Sequence, residues 1–551
     1  MFYKGIIFDL DNTLYSYTDC HNFALEKCIN YITTITKYSY NQIFDIYKHV
    51  SNDLKIELQN TASSHNKSIY FKKIIEYLKL QYSYFRHINE IYWSNFYEKI
   101  KPYDYVKEFI QWNSNLNIKI GIITDYETEY QIIKLEKLGI LEYIDHIITS
   151  EEVGVEKPGS KIFYKMLDVM NLTSDNVILF GDNYDKDIKG AIKFNILSYW
   201  VNKDNSDFID YKSIYSKFTN IFNNLVELKK ISKYCGERFD LVQAGGGNIS
   251  VKCDNLMFIK ASGFNLTNVD EKNGYVIINN KLLLEDICKN NDILDDITKY
   301  NYMGTKRGSI ETYMHSILKK YTIHLHPIQI NRVLILENSR EIIKNIYPDG
   351  LIIDYFTPGI KLCNEIKKYY DNHEIIFLLN HGIIITSDNI EHIYNLLEDI
   401  VNQFENYQNI NFDKYKVTNN ISNIINNTFN LSNITYLCED KIINDYFLNK
   451  KELFKMKISF PDALIYCGVK VLFDIKDIHE YKLSFNETPK IIIHDNLIYI
   501  NSHNLQKCKE IEDVLKSNIF ILDSDFNKNF LSFEEICFLN NWDAEKYRRN
   551  I

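Results

Sequence analysis

The run GIIFDLDNTLY, residues 5–15, decides how the first part of the chain folds. Gly5 to Phe8 is an unbroken apolar stretch, the pattern of a strand buried on both faces. It ends in Asp9-Leu10-Asp11-Asn12-Thr13, so two carboxylates two residues apart stand at the mouth of the strand. That placement suits a nucleophile and a cation, although a strand followed by an Asx turn looks the same. Two further stretches repeat the theme. IKIGIITDYETE (118–129) is apolar up to Thr124 and Asp125, and NVILFGDNYDKDIKGA (176–191) delivers Asp182 and Asp187 after a glycine turn. Helical patterns such as TEYQIIKLEKLGI (128–140) separate these runs, which predicts a parallel sheet with crossover helices. The polar residues gather at the carboxyl ends of the strands, where open α/β sheets hold ligands.

The chemistry of that gathering is specific. Asp9 can attack phosphorus to give an aspartyl-phosphate, while Asp11 protonates the leaving oxygen and later activates water. So many carboxylates need a counter-charge, and Mg²⁺ on Asp9, Asp182, Asp187 and an Asp11 carbonyl would supply it. Lys157 would neutralise the phosphoryl oxygens, and Thr124 would hydrogen-bond the same group. DLDNT at 9–13, Thr124, KPGSKIF from Lys157 and GDNYDKD at 181–187 occur in an order that resembles the haloacid dehalogenase-like (HAD) hydrolases. The resemblance covers roughly the first 205 residues. It implies a Rossmann-like domain over 1–208, with the helical stretch of about 16–100 as a cap that selects substrate. Asp125 departs from the family, where asparagine is frequent, and the resemblance places it against substrate.

The bulk numbers are compatible with several domains. At 551 residues the chain exceeds what one core usually serves. The formal charge of −10 (63 basic against 73 acidic residues), with no basic run, argues against nucleic acid as the main partner. No stretch is long and apolar enough to span a bilayer, and the opening residues lack a signal-peptide pattern, so no membrane partner is expected. Ten scattered cysteines without a CxxC pair fit a reducing cytoplasm.

A second block begins near residue 225. LVQAGGGNISVK (241–252) carries Gly245 to Gly247 and then Asn248, a run through which backbone N–H groups can approach a phosphate, or simply a flexible turn. MFIKASGF (257–264) places Ser262-Gly263 after a strand. GTKRGSIETYMH (304–315) leads into a helix that Ser309 could cap, with Glu311 and His315 on one face. YTIHLHPIQ (321–329) reads as a strand with Thr322, His324 and His326 on the face opposite Tyr321, Ile323 and Leu325. Two imidazoles so spaced can share an ion, but the pair alone is weak. EIIFLLNHGIIIT (374–386) reads as one strand carrying Asn380-His381-Gly382.

The ordered set GGGNISVK, KASG, SIETYMH, HLHP, DYFTPG and NHG resembles the class II aldolase/adducin family, especially its longer sugar-aldolase branch. The resemblance implies an aldolase-type α/β domain over 225–410 in which His324, His326 and His381 hold Zn²⁺. Glu311 falls on its acid/base, and Tyr355 near a proton-donating tyrosine that often crosses a subunit boundary. Gly247, Asn248, Ser262, Gly263 and Ser309 fall on phosphate-binding positions, and a homotetramer is implied. His315 is read as core or as a support behind the ligands. Ile310, where smaller members carry a small polar residue, weakens the phosphate assignment. Ser387 stands where glycine is frequent.

Residues 411–551 are expected to form a small α+β extension. The Asn-rich 412–434 reads as a surface loop or weak helix, FPDALIYCG (460–468) as a strand, PKIIIHDNLIYIN (489–501) as a hairpin turning at Asp495-Asn496, and 531–551 as a closing helix. Cys467 and His494 stand alone and carry no catalytic set. Together these readings predict a cytoplasmic bifunctional enzyme of phosphorylated sugars and aldehydes. In it, dephosphorylation makes an aldol synthesis irreversible. A sugar-phosphate epimerase or dehydratase fits the same zinc site. So does a non-catalytic assembly module, with the phosphatase alone active.

Overall fold

The computed structural model describes residues 3–59, 61–201, 210–289, 296–455, 457–485, 487–524 and 527–542. The boundary expected at 208 and residues 543–551 of the closing segment lie outside these. The chain folds as two compact units, Met1–Asn223 with Met303–Thr305, and Asn224–Tyr302 with Lys306–Ile551.

Unit one is built on five strands: β1 (Gly5–Phe8), β2 (Lys119–Thr124), β3 (His146–Thr149), β4 (Val177–Gly181) and β5 (Leu197–Trp200). All pairings are parallel and the order is β3-β2-β1-β4-β5. β1 and β4 are buried along their whole length, as continuous apolar runs require when helices cover both faces. The chain leaves β1 towards β2 and β3 and then returns to its other side as β4, so a crevice opens at the carboxyl ends of β1, β2 and β4. Between β1 and β2 lie the α-helices Tyr17–Ile35, Tyr40–Glu57, Lys67–Tyr77, Tyr84–Lys99 and Val106–Asn115, the first four within the stretch of about 16–100. Local signals start two of them. Ser16 Oγ accepts the Asp19 N–H at 3.2 Å, and the Asn66 side chain accepts the Ile69 N–H at 2.9 Å. The buried rings of Phe71, Tyr92, Trp93 and Phe96 fill the space between these helices.

Unit two holds an eight-stranded mixed sheet: β6 (Asn248–Cys253), β7 (Leu256–Lys260), β8 (Tyr275–Asn279), β9 (Asn301–Met303), β10 (Tyr321–Leu325), β11 (Leu351–Ile353), β12 (Ile375–Leu378) and β13 (Gly382–Ser387). The order is β11-β12-β13-β10-β6-β7-β8-β9. β10 lies antiparallel between β13 and β6, and the register sets His324 opposite Asn248 on one side and Ile384 on the other. EIIFLLNHGIIIT is not one strand. Asn380, at φ +56°, reverses the chain, so β12 and β13 pair as a hairpin with His381 at its bend. Asparagine tolerates that left-handed backbone, and the apolar run on either side masks the turn in the sequence.

The tail adds β14 (Ile434–Leu437), β15 (Ile491–His494) and β16 (Leu497–Ser502) in the order β14-β16-β15. Asp495 and Asn496 turn the β15–β16 hairpin with φ of +48° and +59°, as a two-residue primed turn demands. Residues Asp413–Phe429 are a full helix. FPDALIYCG is also helical, over Pro461–Cys467, not a strand. Pro461 occupies its first turn, where no N–H is needed, and Ala463, Leu464, Ile465 and Cys467 are buried.

Candidate active sites

At the carboxyl edge of the first sheet, Asp9 follows β1, Thr124 ends β2 and Asp182 follows β4. Asp187 arrives through a π-type turn over Tyr184–Ile188. It can come so close only because residue 181 is glycine: a Cβ there would stand 2.6 Å from the Asp187 carboxyl carbon. One carboxylate oxygen each from Asp9, Asp182 and Asp187 lies within 4.8 Å of the others. Lys157 Nζ, 4% exposed, bridges Asp9 at 2.5 Å and Asp187 at 2.7 Å. Thr13 Oγ1 donates to Asp9 at 2.8 Å and accepts the Asp182 N–H at 3.0 Å. Burial pushes Asp9 well above the usual carboxylate range against the pull of Lys157, and pushes Asp182, next to Asp187, up to about 6. Burial would lower Lys157, but Asp187 and Asp9 hold its ammonium strongly charged.

Asp11 lines the same cavity, about 250 Å³, yet its carboxylate is engaged outside the trio. Tyr15 donates to it at 2.5 Å, and Lys134 Nζ, buried beneath the rings of Tyr17, Phe96 and Tyr126, contacts its two oxygens at 2.8 and 2.9 Å. Thr124 is buried and accepts from Gln131. Asp125 accepts the Lys157 backbone N–H at 2.9 Å and pairs with Lys186 at 2.9 Å, so the residue that departs from the family pattern orients the lysine loop. The insert contributes His65, Tyr17 and Trp93 to the cavity wall. Ser64 and His65 both hold Glu156, the neighbour of Lys157. Thr13, Lys134, Gln131 and Lys186 are given no role in the sequence reading. Thr13 stands within the quoted motif, whereas Lys134 and Gln131 are hidden in an ordinary helical pattern, and only their place after β2 points to them.

In unit two, Glu311, His324, His326 and His381 offer atoms that all lie within 4.8 Å of one another. Glu311 Oε1 is 3.3 Å from His324 Nε2 and 3.5 Å from His381 Nε2, while the Nε2 atoms of His324 and His326 are 3.2 Å apart. His324 is fully buried, and its Nδ1 faces the Ile383 carbonyl at 3.2 Å. That contact takes a proton on Nδ1 and turns Nε2 towards the centre of the group. Close approach again depends on glycine: a Cβ on residue 382 would meet His326 Cδ2 at 2.7 Å. Burial lowers His326 to about 4, with His324 and His381 adding to it. Burial would raise Glu311, but the neighbouring imidazoles hold it far below the ordinary carboxylate range.

His315 lies behind this group, fully buried with Nδ1 on Ser250 Oγ at 2.8 Å, and burial lowers it to about 3. Asn248 is fully buried with neither side-chain polar atom hydrogen-bonded. Gly247 and Gly263 take φ of +73° and +81°. Ser309 does not sit at the helix start: the helix runs Thr312–Ile317, and Ser309 Oγ accepts the Glu311 N–H at 3.3 Å, steadying the glutamate instead. Ser262 and Ile310 are exposed, and Tyr355, 59% exposed, makes no hydrogen bond to the four-residue group among the described residues. Among the described residues no helix is long and apolar enough to cross a membrane.

Comparison with known proteins agrees with both halves. The haloacid dehalogenase-like hydrolase model matches residues 6–201, and the class II aldolase and adducin N-terminal domain model matches 227–407. Ribulose-1,5-bisphosphate 5-phosphatase of Halopiger xanaduensis is 30% identical over 193 residues, 34% of this chain and 80% of that protein. Glyceraldehyde 3-phosphate phosphatase of Methanocaldococcus jannaschii is 29% identical over 236 residues, 42% of this chain and 97% of that one. Among solved structures, the N-terminal class II aldolase domain of a conserved protein from Thermoplasma acidophilum is 25% identical with a TM-score of 0.31, covering 33% of this chain and 93% of that domain. The chain therefore belongs, through residues 6–201, to the haloacid dehalogenase-like hydrolases, and joins that domain to a class II aldolase and adducin domain over residues 227–407.

Proposed function

We propose that unit one is a phosphatase acting on small phosphorylated sugars. The carrying observation is Asp9 in a carboxylate trio whose Asp9 and Asp187 are buried, with Lys157 the only cation directly bonded to Asp9 among the described residues. Asp9 attacks phosphorus and the ester oxygen leaves, giving an aspartyl-phosphate; Asp11 gives the leaving oxygen a proton and later takes one from the attacking water. Lys157 balances charge on the phosphoryl oxygens, Thr124 donates to one of them, and Asp125 keeps the lysine loop in register. The trio fits Mg²⁺: burial and mutual repulsion already push Asp9 and Asp182 up, so the single ammonium leaves negative charge uncompensated. Asp9, Asp182, Asp187 and the Asp11 carbonyl would hold the Mg²⁺, which would supply that counter-charge. A cavity of about 250 Å³ suits short sugar phosphates like those for which the relatives are named. A screen of phosphomonoesters by phosphate release tests the reading, and no release from any ester rejects it.

We further propose that unit two carries out aldol chemistry on a ketose phosphate. Imidazole nitrogens converging within 4.8 Å of one another suit Zn²⁺, which would supply Lewis acidity at the substrate oxygens. The chain's own part is to present His324, His326 and His381 as ligands and Glu311 as the group that moves the hydroxyl and carbon protons. Asn248, Gly247, Ser262, Gly263 and Ser309 receive the phosphate. The exposed position of Tyr355 favours keeping a second reading, epimerisation or dehydration, which starts from the same deprotonation and does not need that tyrosine as donor. Product analysis by NMR with metal analysis separates them, because only aldol cleavage gives two fragments. If the two sites act in sequence, Asp9→Asn abolishes phosphate release from the aldol product. Undiminished release breaks the coupling.

A further inference from the structure

Lys134 stands on the helix Thr128–Lys137 that follows β2, and its side chain is 1% exposed. Its ammonium meets both oxygens of Asp11, at 2.8 and 2.9 Å, and no other carboxylate is hydrogen-bonded to it among the described residues. Its other close surroundings are aromatic: the rings of Tyr17, Phe96 and Tyr126 lie 5.2, 5.5 and 5.4 Å from the nitrogen. A buried ion pair of this kind adds little to stability, because desolvating the charges offsets most of their attraction. What it fixes is geometry. The Asp11 side chain keeps 25% of its surface exposed and lines the cavity that holds Asp9, so its carboxylate rests on the lysine with an open side. Tyr15, fully buried, donates to Asp11 Oδ1 at 2.5 Å. The Gln131 amide has two hydrogens, already given to Thr124 and the Asp125 carbonyl, and none left for Asp11 Oδ2 at 3.4 Å. A carboxylate accepts about four hydrogen bonds, so capacity remains on the side that faces the cavity.

We infer that Lys134 and Tyr15 are positioning residues for the second half of the phosphatase reaction, holding the Asp11 carboxylate turned to the cavity to take a proton from water. This rests on the phosphatase reading of unit one. In that half the water oxygen attacks the phosphorus of the aspartyl-phosphate, and its proton passes to Asp11. The bond from phosphorus to Asp9 breaks, Asp9 regains its carboxylate and inorganic phosphate leaves. Two donors aimed at Asp11 leave it an acceptor, which is what this half requires.

The test is burst kinetics with p-nitrophenyl phosphate on the Mg²⁺-loaded full chain. Nitrophenolate departs without a proton, so kcat/KM reports attack by Asp9, and a slowed discharge of the aspartyl-phosphate appears in kcat. Lys134→Met should lower kcat about 10²-fold and leave kcat/KM within about threefold, with a burst of about one nitrophenolate per chain. Tyr15→Phe should lower the ratio of kcat to kcat/KM about fivefold. A merely structural role would lower both constants together. Equal falls in kcat and kcat/KM, or the absence of a burst, in a folded Lys134→Met chain overturn the inference. Should that chain not fold, Tyr15→Phe decides, and an unchanged ratio overturns it. Absence of nitrophenolate from the parent chain rejects the phosphatase reading itself, and the inference with it.

Discussion

The two units bring ionisable side chains together in opposite ways. In unit one, three carboxylates converge around an internal cation, Lys157, which bonds two of them directly. In unit two, three imidazoles and Glu311 converge with no lysine or arginine hydrogen-bonded to any of them among the described residues, and the Nε2 atoms of His324 and His326 face one another at 3.2 Å. The first arrangement is partly balanced by the chain itself. The second is complete only with a proton or a metal ion at its centre. A buried group can therefore be built to tolerate an empty state or to demand a ligand, and which of these it does is visible in whether the chain supplies the counter-ion.

The largest effect that could overturn this contrast is expected at Asp9. Asp9→Asn should cut phosphate release at least about 10³-fold while zinc content is unchanged, measured by steady-state assay and metal analysis. An active variant would mean that Asp9 is not the nucleophile. Next, Lys157→Met strips the trio of its internal cation. Leaving buried charges unpaired should cost about 3–5 kcal/mol of stability in denaturant unfolding, and Mg²⁺ should restore much more of it than in the parent. If Mg²⁺ makes no difference, the trio is not a cation site. For unit two, chelation should lower stability by about 2–3 kcal/mol relative to zinc at a hundredfold excess over its dissociation constant. His324→Ala should lose both the zinc and that difference.

The smallest effect concerns a third kind of buried carboxylate. Glu237 is satisfied chiefly by neutral donors, Ser422 Oγ at 2.6 Å, the Thr435 N–H at 2.9 Å and the Asn419 amide, and burial raises it to about 7. Its folded pKa lies above its unfolded value, so the native state binds the extra proton between roughly pH 4.5 and 7. Its contribution to stability should accordingly fall as pH rises through that window. Glu237→Gln should flatten the slope, gaining up to about 2 kcal/mol relative to the parent at pH 8 over pH 5. An unchanged slope would show that the proton is held elsewhere.

Much of each site is legible in the chain because its residues punctuate apolar runs. Asp9, Thr124 and Asp182 end or follow buried strands, and His324 stands within one, so polarity there stands out against the background. Lys134 and Gln131 are illegible for the converse reason: on an amphipathic helix a polar residue is unremarkable until its partner is known. The helix over Pro461–Cys467 reads as a strand because a short apolar run does not distinguish the two, even with a proline at its start. The turn at Asn380 is concealed because apolar residues continue on both sides of it.

Local pattern alone carries the two families, the order of their motifs and the residue types able to attack phosphorus or bind a divalent ion. Buried strands and the polar residues at their ends are encoded within a few positions, so these features need no knowledge of the fold. Folding in three dimensions was needed to learn that Lys134 takes Asp11, that Asp125 steadies the Lys157 loop, and that the ring nitrogens of residues 324, 326 and 381 meet beside Glu311. Such pairings join residues far apart in the chain, 148 positions between Asp9 and Lys157 and 169 between Thr13 and Asp182. Strand order and register bring them together, and no local signal holds that information.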